Sequence, residues 1–342
     1  MLANFIQYIG GIFLGWGLGA NDSANVFGTA VSSRMVSYRL AVILTAVFVV
    51  IGAVLQGEAG IETLSHDLKN KHKTELSKDS ESAAGRQELA AARARQVAMV
   101  SSFAAALTVI IMTLLKIPVS TSQAVVGAII GVGIMQHNVN TSGLGKVVAC
   151  WLGTPVGAAV FTVFFYYLFR YILRRWNPPV RVYDPVISVL LIICGCYGAY
   201  ALGANNVANV SAVFVGNEKG MLTAAQAAWF GGITIALGAV TYSKPVMMTV
   251  GKGIVKLDSF TAFVCVLAHA VTVHIYAIVG VPVSTSQAIV GAILGIGFIK
   301  GAHVINYRML GGVTAGWVAT PFVAALFSAI GYFVVNLKYM PM

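Results

Sequence analysis

The sequence predicts an all-α, polytopic membrane protein of about 10–12 transmembrane segments, folded as two inverted repeats with broken or re-entrant helices. Three observations predict it: the apolar balance of the whole chain, a regular series of bilayer-length apolar stretches, and two polar motifs that each occur once per half. With 58% hydrophobic and 10% charged residues among 342, there is too little polar surface to coat a water-soluble particle of this size. The charges are also confined. Residues 57–96 hold seven Lys/Arg and seven Asp/Glu, out of 22 and 11 in the chain. Outside that segment the acids reduce to Asp22, Asp184, Glu218 and Asp258.

Taken in order, apolar stretches able to cross a bilayer run near 4–33, 39–56, 97–115, 117–135 and 144–172. A second series runs near 185–215, 222–241, 259–279, 281–299 and 309–337, with a less apolar segment at 242–258. The first stretch follows neither a basic n-region nor a small-residue cleavage site, so it reads as a span rather than a removed signal peptide. Segment 57–96, rich in Ala and balanced charge, reads as a helix or loop in water, either a solvated connection or a regulatory element.

The halves match in detail. GANDSAN at 19–25 returns as GANNVAN at 203–209, and PVSTSQAVVGAIIGVG at 118–133 returns as PVSTSQAIVGAILGIG at 282–297. The offset is 184 residues at Asn21/Asn205, 164 at Ser120/Ser284 and 166 at Trp151/Trp317, so the first half carries its extra length in the charged segment. This divides the chain into a first repeat over 1–172, a basic linker over 173–184 and a second repeat over 185–342.

Basic residues set the expected orientation. Arg170, Arg174, Arg175 and Arg181 at the junction place it in the cytoplasm. Counting five crossings back puts Arg34 and Arg39 inside, and 57–96 and the N-terminus outside. Counting forward puts Glu218 and Lys219 outside, and Lys244, Lys252, Lys256, Lys300 and Arg308 inside. An odd number of crossings per half makes the copies inverted. That parity depends on whether 117–135 crosses or re-enters.

The net charge of +11 does not point to nucleic acid, because the basic residues lie singly or in small groups between apolar runs. The multi-pass reading places the chain in the plasma membrane, in contact with lipid, and is compatible with a homo-oligomer. Cys150, Cys194, Cys196 and Cys265 lack metal-site spacing and read as small packing residues.

Two constellations carry chemistry. Asn21, Asp22 and Asn25 sit inside an apolar run, where desolvating the carboxylate alone costs a few kcal/mol. Gly19 and Ala20 permit a broken helix there, whose freed carbonyls would join the side-chain oxygens in a shell suited to Na⁺. Asn205, Asn206 and Asn209 offer the same chemistry; interhelical hydrogen bonding is the plainer alternative. In the second motif, Ser120-Thr121-Ser122-Gln123 cannot occupy one helix face and reads as a helix start, with the S-x-x-Q spacing of a capping box repeated at Ser284 and Gln287. A helix that begins within the membrane presents unpaired N–H groups, hydroxyls and a positive dipole end, which is an oxyanion site; ordinary capping and packing is the alternative.

Neither motif contains Lys or Arg. N–H groups and dipoles do not cancel a full anionic charge at low dielectric, so cotransported cations are the economical compensation. The pairing of GANDSAN and GANNVAN with two PVSTSQ stretches resembles the inorganic phosphate transporter family, PiT, over both halves. That resemblance implies an inverted-repeat helical carrier importing phosphate with sodium. By motif match, Ser120, Thr121, Ser122, Ser284, Thr285 and Ser286 would contact phosphate. Asn21, Asp22, Asn25, Gln123, Asn205, Asn206, Asn209 and Gln287 would serve sodium or both ions. No cofactor and no transition metal is implied, sodium being the coupling ion. Two departures stand out: family members often have Asp where this chain has Asn206, and many carry a large cytosolic loop where this chain has a short link.

Other readings remain open from the residues. A carrier for sulfate or another tetrahedral oxyanion would use the same donors, although Asp22 suits a protonatable anion better. Proton coupling would draw on His269 or His274, which a spacing of five puts about 140° apart on a helix; packing or interhelical bonding is the plainer role for both. Lys116 precedes the first PVSTSQ but has Gly280 as its counterpart, and reads as a snorkelling residue. An anion channel would need a continuous polar stripe, and an enzyme a nucleophile with its base or a metal cluster; neither pattern is present.

Overall fold

A computed structural model of the chain describes residues 2–64, 83–115, 119–137, 141–216, 221–281 and 283–337. The first repeat comprises α1 (Leu2–Ser32), α2 (Tyr38–Gln56), α3 (Ala83–Leu114), α4 (Thr121–Met135) and α5 (Thr141–Trp176). The second comprises α6 (Val180–Ser211), α7 (Ala224–Tyr242), the short α8 (Lys244–Gly253), α9 (Ser259–Val279), α10 (Thr285–Lys300) and α11 (Tyr307–Leu337). Residues 65–82, the middle of the charged segment, lie outside the described residues, as do Lys116, Glu218 and Lys219. Among the described residues, seven helices are long and apolar enough to cross a bilayer.

The sequence marks its helix ends with local chemistry. Thr223 caps α7 in a reciprocal box with Gln226, and Asp258 caps α9 in a box with Thr261. Gly280 ends α9 in the left-handed conformation, at φ 73°.

The directions of the helices correct one expectation. Stretches 97–115 and 117–135 are not two crossings; they are the arms of one re-entrant hairpin. Helix α3 runs alongside α1 in the same sense, Gly10 lying against Ser102 and Gly17 against Val109. Helix α4 runs alongside α11, with Gly127 against Pro321 and Gly131 against Ala325. Gln96 donates to Asn336 at 3.1 Å and Gln136 to Tyr332 at 3.3 Å, so α3 at Gln96 and the end of α4 reach the same end of α11. The second repeat does the same with α9 and α10. Gly291 and Gly295 lie against Pro155 and Ala159 of α5, and Lys300 pairs with Asp258 across the open end of that hairpin at 2.8 Å.

Among the described residues, this leaves three long helices per half outside the hairpins, α1, α2 and α5 and then α6, α7 and α11. Three is still odd, so the repeats are inverted and their hairpins enter from opposite faces. They also interlock: α4 packs on α11 and α10 on α5, while α2 packs on α6 and α7 on α1. These last contacts are backbone-close, Gly19 and Gly203 meeting the carbonyls of Ile235 and Val49, and Gly238 and Gly52 those of Trp16 and Tyr200. Arg34, Arg39, Arg174, Arg175, Arg181, Lys244, Lys300 and Arg308 all belong to helix ends on one face of this bundle.

The Asp258–Lys300 pair is partly exposed, so its contribution is small, below about 1 kcal/mol. Burial works against the charge of Asp258, but the Lys300 ammonium and the Thr261 N–H outweigh it and hold the carboxyl below its usual range. A depressed folded value means the stabilisation is complete above the ordinary carboxylate range, near pH ~4, and fades as pH falls through the folded value. Lys300→Met is expected to lower thermal stability in detergent slightly at pH 7, with the difference from wild type shrinking towards pH 3.

Candidate functional site

All fourteen residues singled out from the two motifs are buried, none more than 5% exposed. The expected break at Gly19–Ala20 does not occur. Helices α1 and α6 run unbroken through GANDSAN and GANNVAN, so no carbonyls are freed there. Glycine at 19 and 203 serves the close approach of α7 and α2 instead. The chain breaks ahead of each Ser-Thr-Ser-Gln stretch, at the hairpin tip.

The two first asparagines hold those tips. Asn21 Oδ1 accepts from the Val119 N–H at 3.1 Å, and its Nδ2 donates to the Thr113 hydroxyl at 3.0 Å. Asn205 repeats the clamp on Val283, accepting from its N–H at 3.2 Å and donating to its carbonyl at 2.9 Å. The amides thus supply the backbone groups that an interrupted helix cannot satisfy itself.

Asp22 and Asn25 then join the repeats. Asn25 Nδ2 donates to Asp22 Oδ1 at 3.2 Å and lies 3.3 Å from the Thr285 hydroxyl of the opposite hairpin. The Thr285 and Thr121 hydroxyls are both directed at the Asp22 carboxylate. Neither closes a hydrogen bond of normal length to it: Thr285 accepts from Asn25, and Thr121 has no hydrogen-bond partner. One buried carboxylate is therefore faced by the first residue of α4 and the first residue of α10. On α6 the equivalent pair is Asn209 donating to Asn206 at 3.0 Å.

Each tip begins as a half-finished cap. Ser120 Oγ accepts from the Gln123 N–H at 3.4 Å, and Ser284 Oγ from Gln287 at 3.2 Å. Ser120 also pairs with Ser122, and Ser284 with Ser286, at 3.2 and 3.0 Å. In a full capping box the N3 glutamine turns back to the cap residue, as Gln226 does to Thr223 at 3.0 Å. Gln123 and Gln287 do not. Their Oε1 atoms are buried without a partner, as are Asn25 Oδ1 and Thr121 Oγ1. An unsatisfied buried acceptor costs about 1–3 kcal/mol, and here the cost recurs at the repeat-related Gln123 and Gln287.

Trp151 and Trp317 extend this pattern and were missed as site residues. Their indole Nε1–H groups are also buried and unpaired. Trp317 lies one turn before Pro321, which contacts Gly127 of α4, and Trp151 one turn before Pro155, which contacts Gly291 of α10. Both thus lie near the Gln-bearing first turn of a hairpin helix. The 166-residue offset they share was visible in the sequence, but it read only as a marker of the duplication.

The two histidines do not meet. His269 is fully buried against Gly198 with both ring nitrogens unpaired. His274 bonds Tyr197 at 2.7 Å and Gln56 at 2.8 Å. No Lys or Arg is buried among the described residues, and Asp22 is the buried acid.

Inverted repeats whose re-entrant hairpins bring two helix starts to one buried polar region define a membrane transporter. The chain matches the Phosphate transporter family over residues 18–328 and belongs to it. It is 26% identical to a protein of Haemophilus influenzae named as a phosphate permease, over 97% of this chain and 96% of that one. It is 28% identical to the sulfate permease CysP of Bacillus subtilis, over 95% of this chain and 85% of that one. A solved structure titled the sodium-dependent phosphate transporter shares its fold, with a TM-score of 0.81 and 24% identity, over 98% of this chain and all of that one.

Proposed function

We propose that this chain imports inorganic phosphate together with sodium ions by alternating access, across a plasma membrane with the basic helix ends in the cytoplasm and the N-terminus outside. The observation that carries the reading is the meeting of two helix starts at a buried carboxylate with no basic side chain beside them. Unpaired first-turn N–H groups and two dipole ends attract an oxyanion. The hydroxyls of Ser120, Thr121, Ser122, Ser284, Thr285 and Ser286 add donors around it.

A polyanion next to Asp22 raises the negative charge of a low-dielectric site, and dipoles do not balance it. Sodium does, and hard oxygen ligands suit it. Asp22, Asn25, Gln123 and Gln287 supply such oxygens, three of them now without a partner. Asn21 and Asn205 act on the same site by fixing the tips, while Asn206 and Asn209 complete the second repeat. Anion and cation each lower the cost of burying the other, so binding is coupled. Because the hairpins enter from opposite faces, rocking one and then the other away from the centre would expose the same site to each side in turn.

A second reading has an observation behind it: the relative named as a sulfate permease covers nearly the whole chain. Asp22 separates the two, since a carboxylate can take the proton of a phosphate monoanion and sulfate offers none at neutral pH. Uptake of labelled anion by purified protein in liposomes tests both. Phosphate uptake is expected to need an inward sodium gradient and to resist excess sulfate. Sulfate uptake in place of phosphate would overturn the substrate, and sodium-independent uptake would move the coupling to protons. Ser122→Ala and Ser286→Ala are each expected to reduce the rate at limiting anion about tenfold or more, the loss of a hydrogen bond to a charged group.

A further inference from the structure

The duplication is not equal where the hairpin arms lean on the crossing helices. On α9, His274 lies about a turn and a half before the end of the helix and joins a network spanning three helices. Tyr197 of α6 meets its Nδ1 at 2.7 Å, and its Nε2 lies 2.8 Å from Oε1 of Gln56 on α2. The same Gln56 oxygen accepts from Tyr200 of α6 at 2.9 Å. An amide oxygen only accepts, so the imidazole nitrogen facing it must carry a hydrogen, and in the neutral ring Nδ1 then accepts from Tyr197. Both ring nitrogens of His274 are thereby paired. Among the described residues, the first repeat has no such network at the equivalent arm. There Gly17 of α1 meets Val109 and Ile110 of α3, and Trp16, in the place of Tyr200, donates to Thr241 at 2.7 Å on its neighbour α7 alone.

We propose that His274 is a positioning residue for the anion site, fixing α9 and the tip that follows it against the α2–α6 pair. The pair is a rigid base, because Gly52 and Gly203 bring its backbones into contact. From His274 the chain runs through Gly280 to Val283, held by Asn205, and then to Ser284, Thr285 and Ser286. A looser arm leaves those hydroxyls and first-turn N–H groups without a fixed place, so the anion must order them on binding. The cost falls on affinity. This inference rests on the proposed anion site.

The test is the KM and Vmax of His274→Phe and His274→Gln in proteoliposomes, with phosphate as the probe, and sulfate as well should the wild type prefer it. Substituting the anion lets the substrate assignment fail while the positioning role is still read. His274→Phe is expected to raise KM about tenfold, about 1.4 kcal/mol, with Vmax changed less than about twofold. His274→Gln, which keeps a donor towards Gln56, is expected to return KM to within about threefold of wild type. Should His274→Phe fail to fold, Gln56→Leu tests the same network and carries the same expected KM. A fall in Vmax at constant KM, or equal damage from Phe and Gln in folded protein, would overturn the proposal.

Discussion

Asp22→Asn is expected to remove at least ~99% of sodium-driven anion uptake while leaving the protein folded, a loss of about 3 kcal/mol or more in transport free energy. Asp22 is the one buried acid among the described residues, and hydroxyls from both hairpins are directed at its carboxylate. An asparagine keeps the shape and can still accept from Asn25, so the helices have no reason to separate. What it loses is the charge that makes a desolvated site attractive to a cation. Counterflow of labelled anion and thermal stability in detergent, measured together, separate lost coupling from lost fold. Uptake near the wild-type rate would mean that the second repeat, already Asn206 at the matching position, carries the cation without a carboxylate.

Gly127→Ala and Gly291→Ala are expected to destabilise the protein by about 3 kcal/mol each, lowering the detergent melting temperature by roughly 5–10 °C. A Cβ at either position meets the backbone carbonyl of a proline, Pro321 for Gly127 and Pro155 for Gly291. A side chain could turn aside; a helix backbone has to move as a unit. Gly311→Ala is the control, because a Cβ there meets nothing within 4 Å and little change is expected. Equal stability of all three variants would show that the hairpins are not wedged against α5 and α11.

Those two glycines also show how far the sequence could be read. As small residues in an apolar run they permit close helix packing, but their partners lie almost 200 residues away for Gly127 and about 135 for Gly291, on the last helix of the other repeat. No periodicity names a partner across that distance. The motif residues were easier to find, because buried polar groups in an apolar run are costly in any topology. The structure brings Asp22, Asn25, Thr121 and Thr285 into one buried region. The sequence reading erred on the backbone at Gly19–Ala20, where glycine suggested a break. The helix continues because those small residues admit a neighbouring helix instead. The capping-box spacing misled in a similar way, since its second half is formed at Thr223 but left open at Gln123 and Gln287.

The amino-acid order by itself determined a bilayer protein made of two copies, because hydropathy and duplication are properties of the chain that hold in any conformation. It also determined which side chains would be expensive to bury. Only the tertiary structure decided that α3 turns back at its tip instead of crossing. It alone also set the start of α10 beside Asp22 of the other half and tied His274 into one repeat and not its twin. Direction and contact depend on how distant helices pack, and local composition leaves both free.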